Sequence, residues 1–242
     1  MNTIVNTAIL ATALHLPLIV GLAHGQDNSA TVQQTGTGNL VTVDQAEPVS
    51  TTSAQITQTG TNNAAAVVQR ATLLGEVTVR QTGTGNSVTA TERNASLSGI
   101  DARQEGNNNS AVLSQIGVFP FLISTSQRGA DNAIVVDESV GGFAGPVITQ
   151  EGTANRARVI HYDDYYSGIG IEQRGERNQA DLRQTSAYMT DGMTIIQHGA
   201  DHRANVTNSG NMNSMQVSQT GTGHTSTTDQ LGSGNRGVVF QR

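Results

Sequence analysis

The chain has 242 residues and a formal net charge of −6, with 36% hydrophobic, 13% charged and only 3% aromatic residues. It contains no Cys, no Trp and no Lys, so all 13 basic residues are Arg. These numbers exclude one deep globular core, a disulfide framework and a binder of nucleic-acid phosphates. They leave a polar disordered chain, or a repeat fold that buries a thin strip in each unit.

The first element is a mostly apolar run from Ile4 to Leu22, followed by Ala23 and Gly25 as small residues before Gln26. This pattern predicts a secretory leader over residues 1–25, cleaved after Gly25, although no Lys or Arg precedes the run. Asn6, Thr7, Thr12, His15 and Pro17 interrupt it, which suits a leader better than a membrane span. Residues 26–33 form a short entry segment, and residues 34–242 form one repeat domain.

The repeat begins with Gln-x-Gly at Gln34, Gln58, Gln81, Gln104, Gln127, Gln150, Gln173, Gln197 and Gln219. The matching glycines are Gly36, Gly60, Gly83, Gly106, Gly129, Gly152, Gly175, Gly199 and Gly221. Three residues after each Gly stands Asn39, Asn63, Asn86, Asn109, Asn132, Asn155 or Asn178, and then His202 and His224. A further polar series lies eleven residues after each Gln: Gln45, Gln69, Glu92, Gln115, Glu138, His161, Gln184, Asn208 and Gln230. A period of about 23 residues sustained over most of a chain is the signature of a solenoid.

Between these landmarks the residues alternate. Val41 and Val43, Val88 and Ala90, Ile134 and Val136 are separated by polar residues, and Val32, Ile56 and Val79 precede the repeat Gln by two places. Period-2 alternation predicts strands with one buried face. The expected fold is therefore an all-β solenoid of about nine two-stranded coils, stacked in the cross-β manner. At about 4.8 Å per rung, nine coils span roughly 43 Å. The Gly in each unit permits positive φ at the turn between strands. Gln and Asn at inward positions recur once per coil, so each amide can bond to its copy above and below. A continuous ladder offsets the cost of burying them.

The units QTGTGNLVTVDQ, QTGTNNAAAVVQ, QEGNNNSAVLSQ and QRGERNQADLRQ resemble the curlin repeat, Ser-x5-Gln-x-Gly-x-x-Asn-x5-Gln. The leading Ser survives only as Ser98 and Ser167; Thr52, Gly75, Phe121, Ala144 and Asp191 stand at this position elsewhere, so this fourth series reads as largely lost. The resemblance implies a subunit of a curli-like functional amyloid, secreted through the periplasm to the cell surface and assembled end to end for biofilm matrix and adhesion. It also implies, as partners, further copies of the chain, a second curli-type subunit, an outer-membrane secretion pore and host matrix proteins. A minor, nucleating subunit of the same fibre is the alternative within the family, suggested by the Arg-bearing end VVFQR.

No constellation suggests an enzyme, a cofactor or a metal. Asp163 and Asp164 beside Tyr162, Tyr165 and Tyr166 read as a solvated bend, and Asp131 and Asp201 as turn residues. His198 and His202 are four apart on a turn, not on a helix. A capped monomeric solenoid that binds ice or glycan is the main alternative outside the family, but the outward strand positions mix Arg, Glu, Ser and Thr. Two local expectations follow. Phe119, Phe121, Phe143, Tyr165, Tyr166 and Tyr188 should form an exposed contact patch at the second bend of the middle coils. His202 and His224, in register, should make the C-terminal coils sensitive to acid.

Overall fold

The computed structural model describes residues 7–12, 18–20, 28–46, 51–142, 145–165, 168–185 and 192–242. Every regular element among them is a strand. The odd-numbered strands are β1 (Thr7–Thr12), β3 (Ser29–Thr37), β5 (Ser53–Thr61), β7 (Glu76–Thr84), β9 (Gly99–Asn107), β11 (Leu122–Ala130), β13 (Pro146–Thr153), β15 (Ile169–Glu176), β17 (Met193–Ala200), β19 (Ser214–Thr222) and β21 (Arg236–Gln241). The even-numbered strands are β2 (Leu18–Val20), β4 (Leu40–Ala46), β6 (Ala64–Arg70), β8 (Ser87–Arg93), β10 (Ser110–Val118), β12 (Ala133–Gly142), β14 (Arg156–Tyr165), β16 (Gln179–Thr185), β18 (Arg203–Ser209) and β20 (Thr225–Leu231). The odd strands make one parallel sheet and the even strands a second, each in chain order. From β3/β4 to β19/β20 this gives nine two-stranded coils, and the expected β-solenoid is the observed fold.

The register is strict. Gln81 pairs with Gln58 and Gln104, and Gly83 with Gly60 and Gly106; β17 and β19 keep Gln197 over Gln219 despite their shorter repeat. A slip of one residue would turn every inward side chain outward, which is why alternation fixes the register so firmly. The core lies between the sheets: Ile56, Val79, Ala102, Ile148 and Ile195 from one and Val67, Ala90, Leu113, Val159 and Leu182 from the other are fully buried. These side chains are small to medium, so a core with no Trp suffices once it is repeated at every rung.

Of the expected leader, Thr7–Thr12 and Leu18–Val20 form one more rung, β1 on β3 and β2 on β4. The cleavage point at Gly25 lies outside the described residues. Side chains that point outward carry the charge, in rung-to-rung pairs such as Arg128 with Glu105 and Arg177 with Asp201. Exposed pairs of this kind add little stability; they favour one register over its neighbours.

Candidate functional site: the buried ladders and the second bend

The repeat Gln residues form one unbroken chain of side-chain hydrogen bonds. Each Nε2 donates to the Oε1 of the next rung, from Gln34 to Gln58 at 2.7 Å through Gln104 to Gln127 at 2.8 Å and on to Gln219 to Gln241 at 2.7 Å. The second hydrogen of each Nε2 crosses to the opposite sheet: Gln81 donates to the Ala64 carbonyl and Gln104 to the Ser87 carbonyl. The series therefore stacks the coils and also ties the two sheets together. Asparagine, one methylene shorter, lacks this reach.

The Asn series runs the other way. Asn109 donates from both its backbone N and its Nδ2 to Asn86 Oδ1, each at 3.1 Å, and Asn132 repeats this on Asn109. Each Nδ2 also donates to the turn-glycine carbonyl of the next coil, as Asn109 does to Gly129 at 3.0 Å. That carbonyl is the reason for the glycines. At Gly106 φ is +120°, and a Cβ there would lie 2.0 Å from Gly129 O. The turn needs a second positive φ two residues later, where Asn108, Asp131, Ala154, Arg177 and Asp201 adopt φ of 52–59°. Asp131 and Asp201 are therefore turn residues. Arg177 donates to both carboxylate oxygens of Asp201, which holds that carboxyl below its ordinary range.

His202 and His224 take over part of the Asn role. The His202 backbone N donates to Asn178 Oδ1, and its Nδ1 accepts from the His224 backbone N at 3.3 Å, so the ring carries its hydrogen on Nε2, which faces the His198 carbonyl at 3.2 Å. The two rings stack, with centroids 5.2 Å apart and planes 3° from parallel. Burial is the main force that lowers the His202 pKa; the neighbouring His224 charge adds to it. The sign follows: this contribution to stability is complete above the unfolded value of 6.5 and is lost as pH falls below it. The protection factors of residues 197–242, exchange rates taken relative to those of the unstructured chain at the same pH, should therefore be smaller at about pH 5 than at about pH 7.5. The His202→Asn/His224→Asn double variant should lose that difference, whereas equal protection of the parent at both values would refute it.

The third series faces inward throughout, with Gln69, Glu92, Gln115, Gln184 and Asn208 fully buried. Gln45 and Gln69 keep the ladder geometry, with Nε2 to Oε1 at 2.8 Å. Glu138 and His161 are buried neighbours, with Oε1 and Nδ1 3.5 Å apart. The leading-Ser position, which reads as largely lost in the sequence, keeps an inward bonding group at Asn28, Thr52, Ser98 and Asn213, but Gly75 and Phe121 bring no oxygen to it. Asn28 accepts from Thr52 Oγ1, Ser98 Oγ donates to Glu92 Oε1, and Asn213 Nδ2 donates to Asn208 Oδ1. Where such a residue is present it meets the third series from across the second bend, as Thr52 Oγ1 does in accepting from Gln45 Nε2.

The expected aromatic patch needs correction. Phe119 is exposed, but Phe121 is only 4% exposed: it occupies the leading-Ser position and packs edge-on against His161 at 5.8 Å. Ala95 and Val118 complete this small satellite core. Phe143, Tyr166 and Tyr188 and the Tyr165 side chain lie outside the described residues, as do the side chains of Asp163 and Asp164. Among the described residues the exposed apolar side chains at this bend are mainly aliphatic: Leu73, Leu74, Leu97 and Leu122 beside Phe119. Leu74 and Leu97 hold φ of 54° and 51°, unusual for leucine. Leu74, Leu97 and Leu122 line an open groove of about 690 Å³ with Arg80 and Asp101. Among the described residues no three His, Asp or Glu side chains gather as a metal site. No protein-family model matches the chain, and no curated protein is similar to it.

Proposed function

We propose that the chain is the structural subunit of a secreted, curli-like fibre, built by end-to-end stacking of copies through the same ladders that hold one copy together. The observation that carries this reading is the sameness of the rungs: each repeat Gln donates to the same atom of the next repeat Gln, and each repeat Asn to the same atom of the one before, in strict parallel register. Identical segments stacked in parallel register are the arrangement by which separate chains also add to one another. Parallel in-register pairing lets a second copy continue every series without a new kind of contact. The resemblance to the curlin repeat supports surface export and a role in adhesion.

The test is to incubate the chain without residues 1–25 and follow thioflavin fluorescence, with electron microscopy at the plateau. Fibres should appear, and Val239→Asp, a charge on the rung of β21, should slow their elongation at least tenfold. A chain that stays monomeric at every concentration would overturn the proposal. An ordered ice-binding Thr array is less well supported, because outward Thr82 and Thr84 are followed one rung on by Glu105 and Asn107. If the aliphatic second bend joins fibres side by side, replacing Leu73, Leu97, Phe119 and Leu122 with Ser should thin the bundles but leave growth intact. Unchanged bundles would dismiss that role.

A further inference from the structure

The third ladder contains a buried carboxyl where its neighbours have amides. Glu92 is fully buried and sits in register between Gln69 and Gln115. On one side its oxygens are satisfied: Gln69 Nε2 donates to Oε2 at 2.8 Å and Ser98 Oγ to Oε1 at 3.1 Å. Gly75 makes room, since a Cβ there would stand 2.7 Å from Glu92 Oε2. On the other side, the Gln115 amide turns its Nε2 toward Glu138 Oε2, at 3.4 Å, and its buried Oε1 has no donor. Where the preceding residue is a Gln, as with Gln45 before Gln69, that Oε1 receives an N–H. An ionised Glu92 has no hydrogen to give.

We propose that the folded chain holds Glu92 as the neutral carboxylic acid, which donates its hydrogen to Gln115 Oε1 and so completes the ladder, making the middle coils a built-in pH-sensitive element. A protonated Glu has the shape of Gln and one donor to offer, which is what the position requires. The surroundings give a carboxylate nothing to pair with. The inward residues of the facing strands are Val77, Val79 and Gln81 on β7 and Ile100, Ala102 and Gln104 on β9. Around the bend stand Thr72, Gly75 and Ser98, while Arg70, Arg93 and Glu76 are exposed. The other titratable groups of the series, Glu138 and His161, lie two and three rungs further on. Burial accordingly pushes the Glu92 pKa up from 4.5 to about 7, against the smaller opposing effects of Gln69 and Ser98.

A raised folded-state value means that the stabilisation is complete below 4.5 and is lost as pH rises toward about 7. The folding constant should fall about a hundredfold across that interval because of this one group. The slope is opposite to that of the stacked histidines, so the two contributions offset one another between about 4.5 and 6.5. This inference concerns the folded chain and stands whether or not copies assemble into fibres.

The experiment compares the folded chain with Glu92→Gln. In infrared difference spectra at about pH 6, the parent should show the carbonyl stretch of a neutral acid, and the variant should lack it. The variant should match the parent in denaturant unfolding at about pH 5, and its folding constant should exceed the parent's at least tenfold at about pH 8. Absence of that band, or the same offset at both pH values, would overturn the proposal; it would mean that the Gln115 amide is turned over and donates to an ionised Glu92. Should the variant not fold, carboxyl-carbon NMR of the parent decides alone. A glutamate titrating near pH 7 supports the inference, and titration of every glutamate near the free value refutes it.

Discussion

Alanine at Gly106 is expected to destabilise the folded chain by roughly 3–5 kcal/mol, the combined scale of a forbidden φ and a backbone overlap. The methyl would stand 2.0 Å from the Gly129 carbonyl oxygen and 2.9 Å from its carbon, on a backbone at φ +120°. Neither partner can move alone. The oxygen is held by Asn109 Nδ2, and the Gly129 backbone is itself fixed in register between Gly106 and Gly152. The strain therefore passes along the stack. Gly170→Ala is the control: its Cβ would meet only Thr194 side-chain atoms, at 3.8 Å, and it should change stability by no more than about 0.5 kcal/mol. Denaturant midpoints of the two variants would check this, and equal midpoints would show that the turn glycines are not required by stacking.

The second large effect is expected at Asn109. Alanine there removes the donor to Asn86 Oδ1 and to the Gly129 carbonyl, and the acceptor for both the backbone N and the Nδ2 of Asn132. All three asparagines are fully buried, so water cannot replace what is lost. Each orphaned buried group costs about 1–3 kcal/mol, and a total loss of about 4 kcal/mol is expected, with hydrogen exchange fastest in the coils on either side. Asn109→Asp separates the roles of the two amide atoms. It keeps an acceptor for Asn132 but sets a carboxylate oxygen against Gly129 O. Burial without a cation would raise its folded pKa above the free value of about 3.9. The Asp variant should therefore recover as pH falls toward that value and weaken as pH rises. Equal damage at both ends of the range would show that the cost does not lie in a carboxylate charge set against the Gly129 carbonyl.

These two residues also show why so much of this fold is legible in its sequence. The turn glycines recur because every coil meets the next in the same way, and the asparagines recur because each is both donor and acceptor to its own copy. A parallel in-register stack turns a three-dimensional contact into a sequence interval of about 23 residues, so a one-dimensional pattern reports neighbours directly. Alternation then assigns the inward face, as Val77 and Val79 show on one sheet and Val88 and Ala90 on the other. The His202–His224 neighbourhood follows from the same interval.

What the interval does not encode is which residues meet across the coil. The second hydrogen of Gln104 reaches the Ser87 carbonyl on the opposite sheet. Ser98 reaches Glu92 across the second bend. Phe121 turns inward to His161, although an aromatic at a bend reads as exposed. These contacts depend on how closely two sheets of small side chains approach and on how each bend folds over the strip beneath it. The sequence by itself determined the period, the register and the inward amides, because those repeat identically from rung to rung. Only the tertiary structure decided the charge state demanded of Glu92 and the aliphatic groove at Leu74, Leu97 and Leu122, because these arise at single coils where the repeat is broken and the packing of one bend sets the outcome.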